Sequence, residues 1–278
     1  MDRPVGIFDS GLGGLTCVRE FIRVAPGENI EFFGDTARLP YGSKAKDTII
    51  NYALQDISFL LDKNVKMIIA ACGTVSSNLP EEISQKIGVP FVGIVDPTTE
   101  AALKATKNGR IGILGTAATI GSGSFEKMLK KKDPSVTVYP KACPMFVPLV
   151  ENGYVGRECE TTIKIAKEYL LPLVNSGIDT LILGCTHYPL LSDIISDIMG
   201  RNVTLIDSGR ETALCAAGMT ESGGGNEHGT VHFTVSDNAD GFASMAGRFL
   251  GSDIGDRVSV VNLDGTVPAE HLRSYYVK

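Results

Sequence analysis

The sequence has no run of about 18 apolar residues, the length that marks a membrane-spanning helix, and its opening Met-Asp-Arg-Pro lacks the basic, apolar and small-residue segments of a secretory signal. A soluble, cytoplasmic protein with no membrane partner is expected. Only four residues precede Val5, so no long leader segment is expected either. Clustered positive charge is scarce: 26 Lys and Arg face 32 Asp and Glu, a net charge of −6, and the one basic run is Lys130, Lys131 and Lys132. Phosphate contacts need clustered cations, so no nucleic-acid partner is expected. Standing before Asp133-Pro134, the lysine run reads as the solvated last turn of a helix, where cations suit the macrodipole. Six cysteines (Cys17, Cys72, Cys143, Cys159, Cys185 and Cys215) include no CxxC. That spacing fits neither a thioredoxin-type motif nor a paired zinc knuckle, and no metal is expected. In a reducing compartment they are thiols, most of them core filler.

What the chain does contain is enough to build a core: 278 residues, 43% of them apolar. That length suits two lobes or one large domain. Continuous apolar runs predict strands at Val5 to Phe8, Ile30 to Phe33, Lys66 to Ala70, Phe91 to Val95, Arg110 to Leu114, Val136 to Tyr139, Thr180 to Leu183, Val203 to Ile206 and Thr230 to Val235. Amphipathic stretches lie between them, among them 47–62, 98–107, 123–131, 158–175 and 239–250. Ser236-Asp237-Asn238 marks the entrance of the last, and Pro172 should kink or split the long 158–175 pattern. Runs apolar on both faces belong to strands covered by helices on either side, so the fold class is α/β with mostly parallel sheets. The stretch Ser222 to Gly229 reads as a flexible surface loop.

A weak internal repeat organises the chain. Residues 67–97 and 181–208 share one order: apolar strand, small residue, Cys, a nearby Thr, a turn with Pro, a helix, an apolar strand, then Asp. The repeat puts Cys72 and Cys185, 113 residues apart, at equivalent positions just past a strand. Ligands bind at that edge of open α/β sheets. Two pseudo-symmetric lobes facing each other, 1–96 plus 208–278 and 97–207, would bring both thiols into one cleft. Near a helix N-terminus each thiol should lean toward thiolate. A lone cysteine there is usually a small buried hydrophobe; the matched pair argues otherwise.

Other motifs sit at the same strand ends. In Phe8-Asp9-Ser10-Gly11-Leu12-Gly13-Gly14 the third glycine of a dinucleotide fingerprint is replaced by Thr16, so the pattern fails. Asp9 and Ser10 suit a carboxylate helper and a ligand hydroxyl, or merely a helix cap. His187, two residues after Cys185, is placed to relay or tune its proton. Tyr41 and Gly42 lie in a turn around Pro40, and Thr116 and Thr119 put two hydroxyls on one side of a turn entering a helix, where they suit a carboxylate or a cap. Cys17, Cys143, Cys159 and Cys215 lack a symmetric partner and read as structural.

Taken in order, GIFDSGLGGL, DTARLPYG, AACGTVSSN, GTAAT, FVPLVENG and LGCTHYPLL resemble the glutamate racemases, cofactor-independent members of the aspartate/glutamate racemase superfamily, along nearly the whole chain. The resemblance implies two α/β lobes with the site between them, interconversion of L- and D-glutamate with no cofactor, D-glutamate being used in bacterial peptidoglycan, and a homodimer. It implies Cys72 and Cys185 as the proton donor and acceptor pair, assisted by Asp9, His187 and Glu151. Ser10, Tyr41, Gly42, Gly73, Thr74, Thr116, Thr119 and Thr186, with Asp9 and His187, are implied to hold the substrate. The pattern departs at Gly73, where the family usually has Asn; glycine offers a backbone N–H but no side-chain amide. Aspartate and hydantoin racemases share the two cysteines. A thiol hydrolase with Cys185 as nucleophile and His187 as base leaves Cys72 without work, and a non-catalytic binding protein is encouraged only by Gly73.

Overall fold

A computed structural model describes residues 3–220, 228–255 and 257–276. The chain begins β1 (Val5–Asp9), α1 (Leu15–Val24), β2 (Ile30–Gly34), α2 (Lys46–Asp62), β3 (Met67–Ala70), α3 (Gly73–Asn78), α4 (Glu81–Ser84) and β4 (Phe91–Gly93). It crosses through α5 (Val95–Ala105) to β5 (Arg110–Gly115), α6 (Ala117–Ser122), α7 (Ser124–Lys132), β6 (Thr137–Ala142), α8 (Phe146–Glu151), α9 (Glu160–Asn175), β7 (Thr180–Leu183), α10 (Ser192–Met199) and β8 (Thr204–Asp207). It returns through α11 (Ser208–Ala217) and ends with β9 (Val231–Val235), α12 (Ala239–Leu250) and β10 (Val258–Val260).

Two all-parallel sheets result, ordered β10-β9-β2-β1-β3-β4 and β6-β5-β7-β8. The run β2-β1-β3-β4 of the first repeats the order β6-β5-β7-β8 of the second, so β3 and β7, the two strands that precede the paired cysteines, are topological equivalents. Both are buried along their whole length, as expected where helices cover both faces. The helix-spaced apolar residues Leu15, Val18 and Phe21 of α1 are fully buried. Each such side chain contributes roughly 1.5–3 kcal/mol of burial. Among the described residues no helix is long and apolar enough to cross a membrane.

Several expectations need correction. Val95 opens α5 instead of ending a strand. Pro172 does not split its helix, since α9 runs unbroken over 160–175. The lost bond falls on the carbonyl of Glu168, and both residues are exposed, which leaves that carbonyl accessible to solvent. Strand β10 went unseen because it is three residues long and largely exposed. Asn238 does cap α12, its side chain accepting from the Gly241 N–H at 3.0 Å, and the lysines do close α7. The Ser222 to Gly229 stretch lies almost wholly outside the described residues. Cys17 and Cys143 are core, whereas Cys159 is partly exposed and Cys215 lies on the surface, so these two fill no core.

Candidate active site

Parallel pairing places the carboxyl ends of β1, β2 and β3 at one edge. Phe8 pairs with Ala70, and two residues further along each chain the Cys72 Sγ donates to the Ser10 hydroxyl at 3.4 Å. Asp9 ends β1, nearly fully buried, and accepts the Gly11 N–H at 2.9 Å. From the second sheet the loops after β5, β6 and β7 supply Thr116, Pro144 with the helix bearing Glu151, and the turn Cys185-Thr186-His187. All of these line one cavity of about 360 Å³ together with Tyr41, Gly42, Gly73 and Thr74. That volume suits a small ligand. The two thiols enter it from different sheets.

The glycines of the first loop allow close packing. A Cβ on Gly13 would lie 2.4 Å from His187 Nδ1 and 2.5 Å from the Thr186 hydroxyl, and one on Gly14 would lie 2.5 Å from the Asp9 Cβ. Thr16, the residue that spoils the dinucleotide pattern, donates its hydroxyl to the Thr186 carbonyl at 2.9 Å. The substitution thus fastens α1 to the turn that carries Cys185. Gly73 is tighter still: a Cβ there would stand 2.2 Å from the carbonyl oxygen of Gly184.

Around Cys185 a relay is assembled. His187 Nδ1 lies 3.8 Å from the Cys185 sulfur and its Nε2 lies 3.0 Å from Glu151 Oε1. Burial opposes charging the imidazole, but the hydrogen bonds to Cys185 and Glu151 and the negative charges nearby, Asp9 included, prevail and lift its pKa to about 10. The ring of Phe249 meets His187 edge-on at 5.4 Å. On the other side, burial and the neighbouring Asp9 push the Cys72 thiol up to about 12. The expectation that a helix start would favour thiolate fails for Cys72, because α3 is only six residues long and desolvation dominates. Burial likewise raises the Asp9 carboxyl.

Hydroxyls line the remaining wall. Thr74, Thr116 and Thr119 are joined in series, 3.0 Å between successive oxygens. Thr119 stands behind Thr116, off the cavity surface. Tyr41 reaches the wall, but its hydroxyl is turned away onto the buried carboxylates of Asp35 and Asp56. Every other residue expected at the site lies on the cavity. Sequence reasoning overlooked Ser43, Val147, Pro148 and Asn152, which also line it. Apolar and small polar side chains carry no chemical signature, though three of these lie within FVPLVENG.

Comparison with known proteins agrees with this architecture. Residues 27–216 match the family model for Asp/Glu/hydantoin racemase. The glutamate racemase of Geobacter metallireducens is 42% identical over 258 residues, covering 91% of this chain and 95% of that protein. That of Persephonella marina is 45% identical, covering 90% and 94%. Among solved structures, a glutamate racemase isoform from Bacillus anthracis superposes with a TM-score of 0.89 at 35% identity, over 94% of this chain and 98% of that one. The enzyme of Francisella tularensis, solved with D-glutamate, gives 0.84 at 34% identity over the same shares. The chain belongs to the Asp/Glu/hydantoin racemase family.

Proposed function

We propose that the protein interconverts L- and D-glutamate by moving the α-proton between two sulfurs, Cys72 and Cys185, supplying D-glutamate for peptidoglycan. The observation that carries this reading is that two cysteines at equivalent points of a repeated fold line one small cavity. Racemisation removes a proton from one face of a carbon and returns one to the other, which two groups on opposite sides perform without the substrate turning over.

The charges suggest the resting roles. Cys72, held as a thiol, is the acid. His187, held protonated beside Cys185, provides the counter-charge for a thiolate there, the base. In one direction the Cys185 thiolate takes the α-proton, the C–H electron pair stays on the α-carbon, and the Cys72 S–H delivers its proton to the other face. Cys72 then holds the negative charge and Cys185 the proton, the arrangement from which the reverse reaction starts. Asp9 assists Cys72, and Glu151 orients His187. The N–H groups and hydroxyls of Ser10, Gly42, Gly73, Thr74, Thr116 and Thr186 hold the substrate, with Tyr41 and Thr119 bracing them from behind. Water exclusion and fixed donors lower the cost of the developing carbanion.

The reading takes residues 1–96 plus 208–278 as one lobe and 97–207 as the other, and the active form as a cytoplasmic homodimer, as the family resemblance implies. Incubation with L-glutamate in deuterium oxide tests the chemistry: ellipticity should decay to zero while deuterium enters the α-position. Retention of both optical activity and the α-proton refutes it.

A further inference from the structure

We propose that Arg248, on the last turn of α12, is a positioning residue that holds Glu151 in reach of His187; this rests on the functional reading above. The Arg248 Nη1 donates to the carbonyls of Val150 and Glu151 at 3.1 and 3.0 Å. These are the last two carbonyls of α8; that of Val150 also accepts the Gly153 N–H at 3.0 Å, and a cation near a helix C-terminus satisfies such end carbonyls. Nη2 lies against the turn that follows, where a Cβ on Gly153 would approach it to 3.1 Å.

The need for an outside hold follows from the helix itself. With six residues α8 has little rigidity of its own, and the Glu151 side chain is 27% exposed, so packing does not fix it. The side chain nonetheless makes the 3.0 Å bond to His187. The neighbouring residue of α12 completes the arrangement: the Phe249 ring lies against His187, and the Phe249 carbonyl accepts from Arg19 at 3.2 Å, tying the end of α12 to α1. Two consecutive residues of one helix in the six-stranded lobe therefore meet both members of the Glu151–His187 pair in the other lobe. The assembly of that pair is coupled to the seating of α12 across the cleft.

The test is a double-mutant cycle in the full-length protein, followed by circular dichroism with L-glutamate. Arg248→Met keeps the aliphatic stem and removes the donors; it should lower kcat/KM roughly tenfold, short of the roughly 10²-fold that an ångström of misplacement costs. Arg248→Lys, which retains a cationic donor, should recover most of that loss. In a Glu151→Ala background, itself impaired, Arg248→Met should cost less than about twofold more, because the group it positions is already gone. Equal losses in both backgrounds would overturn the proposal and leave Arg248 a structural residue. Full activity of Glu151→Ala alone would instead overturn the role given to Glu151 and the proposal with it. Should Arg248→Met not fold, Arg248→Gln carries the same comparison.

Discussion

Gly73→Ala adds one methyl group at the point where the two halves of the site touch. Its carbon would begin 2.2 Å from the Gly184 carbonyl oxygen, whereas carbon–oxygen contacts settle at about 3.3–3.6 Å. Backbone on both sides must therefore part by about an ångström. Gly184 cannot retreat freely, since its N–H donates to the Leu114 carbonyl at 2.8 Å, so the yielding coordinate is the gap between Cys72 and Cys185. Overpacking of this kind costs about 1–3 kcal/mol. An ångström of error between reacting groups costs roughly 10²-fold in rate. The expected result is a fall in kcat/KM of about 10²-fold with a melting temperature only a few degrees lower. Gly73→Asn should do no better, although the family usually carries Asn at this position. Activity and melting temperature both equal to the parent protein would refute the reasoning, by showing that the contact relaxes without moving the thiols.

Other outcomes follow from the same geometry. Cys72→Ala and Cys185→Ala should each abolish racemisation while leaving the melting curve near that of the parent; full turnover in either refutes the two-sulfur assignment. Burial, with Asp35 adjacent, raises the Asp56 carboxyl above its usual range, while Arg38, whose Nη2 lies 2.9 Å from Asp56 Oδ1, favours the carboxylate. Asp56→Asn, which removes that partner of Arg38, should cost about 3–5 kcal/mol, as breaking a buried ion pair does. Asp35→Asn, which removes the other partner of Arg38 at 2.6 Å, should cost a similar amount; a loss below about 1 kcal/mol in denaturant titration of either variant would refute the assignment of both carboxylates to Arg38. His187 has a native pKa of about 10 against 6.5 for the free side chain. Its contribution to stability is full below pH 6.5 and is lost as pH rises to 10. Denaturant titrations should show that slope in the parent and a flatter one in His187→Gln.

Much of this molecule is readable from its residues, for definite reasons. Strands β1, β3, β5 and β7 are legible because burial on both faces demands unbroken apolar runs. Cys72 and Cys185 stand out because the fold repeats, which turns two unremarkable residues into a matched pair. Short elements escape: β10 and α8 are too brief to show a period. Contacts across the cleft escape as well. Nothing near Arg248 in the chain announces Glu151, 97 residues away, and the purpose of Thr16 shows only once Thr186 is seen beside it. The direction of the Tyr41 hydroxyl depends on Asp56, which the helical pattern of α2 presents as one more polar residue.

The strand order shared by β2-β1-β3-β4 and β6-β5-β7-β8 has a final consequence. A catalyst for mirror-image molecules gains nothing by preferring one hand, since the two forms are equal in free energy. A scaffold whose halves repeat one plan offers either enantiomer nearly the same surroundings after exchanging left for right. What breaks the likeness here is dressing, with a carboxylate and a hydroxyl behind one sulfur and an imidazole braced by a carboxylate behind the other. Any difference in turnover between the two directions must originate in that dressing, since the frame beneath it treats both alike.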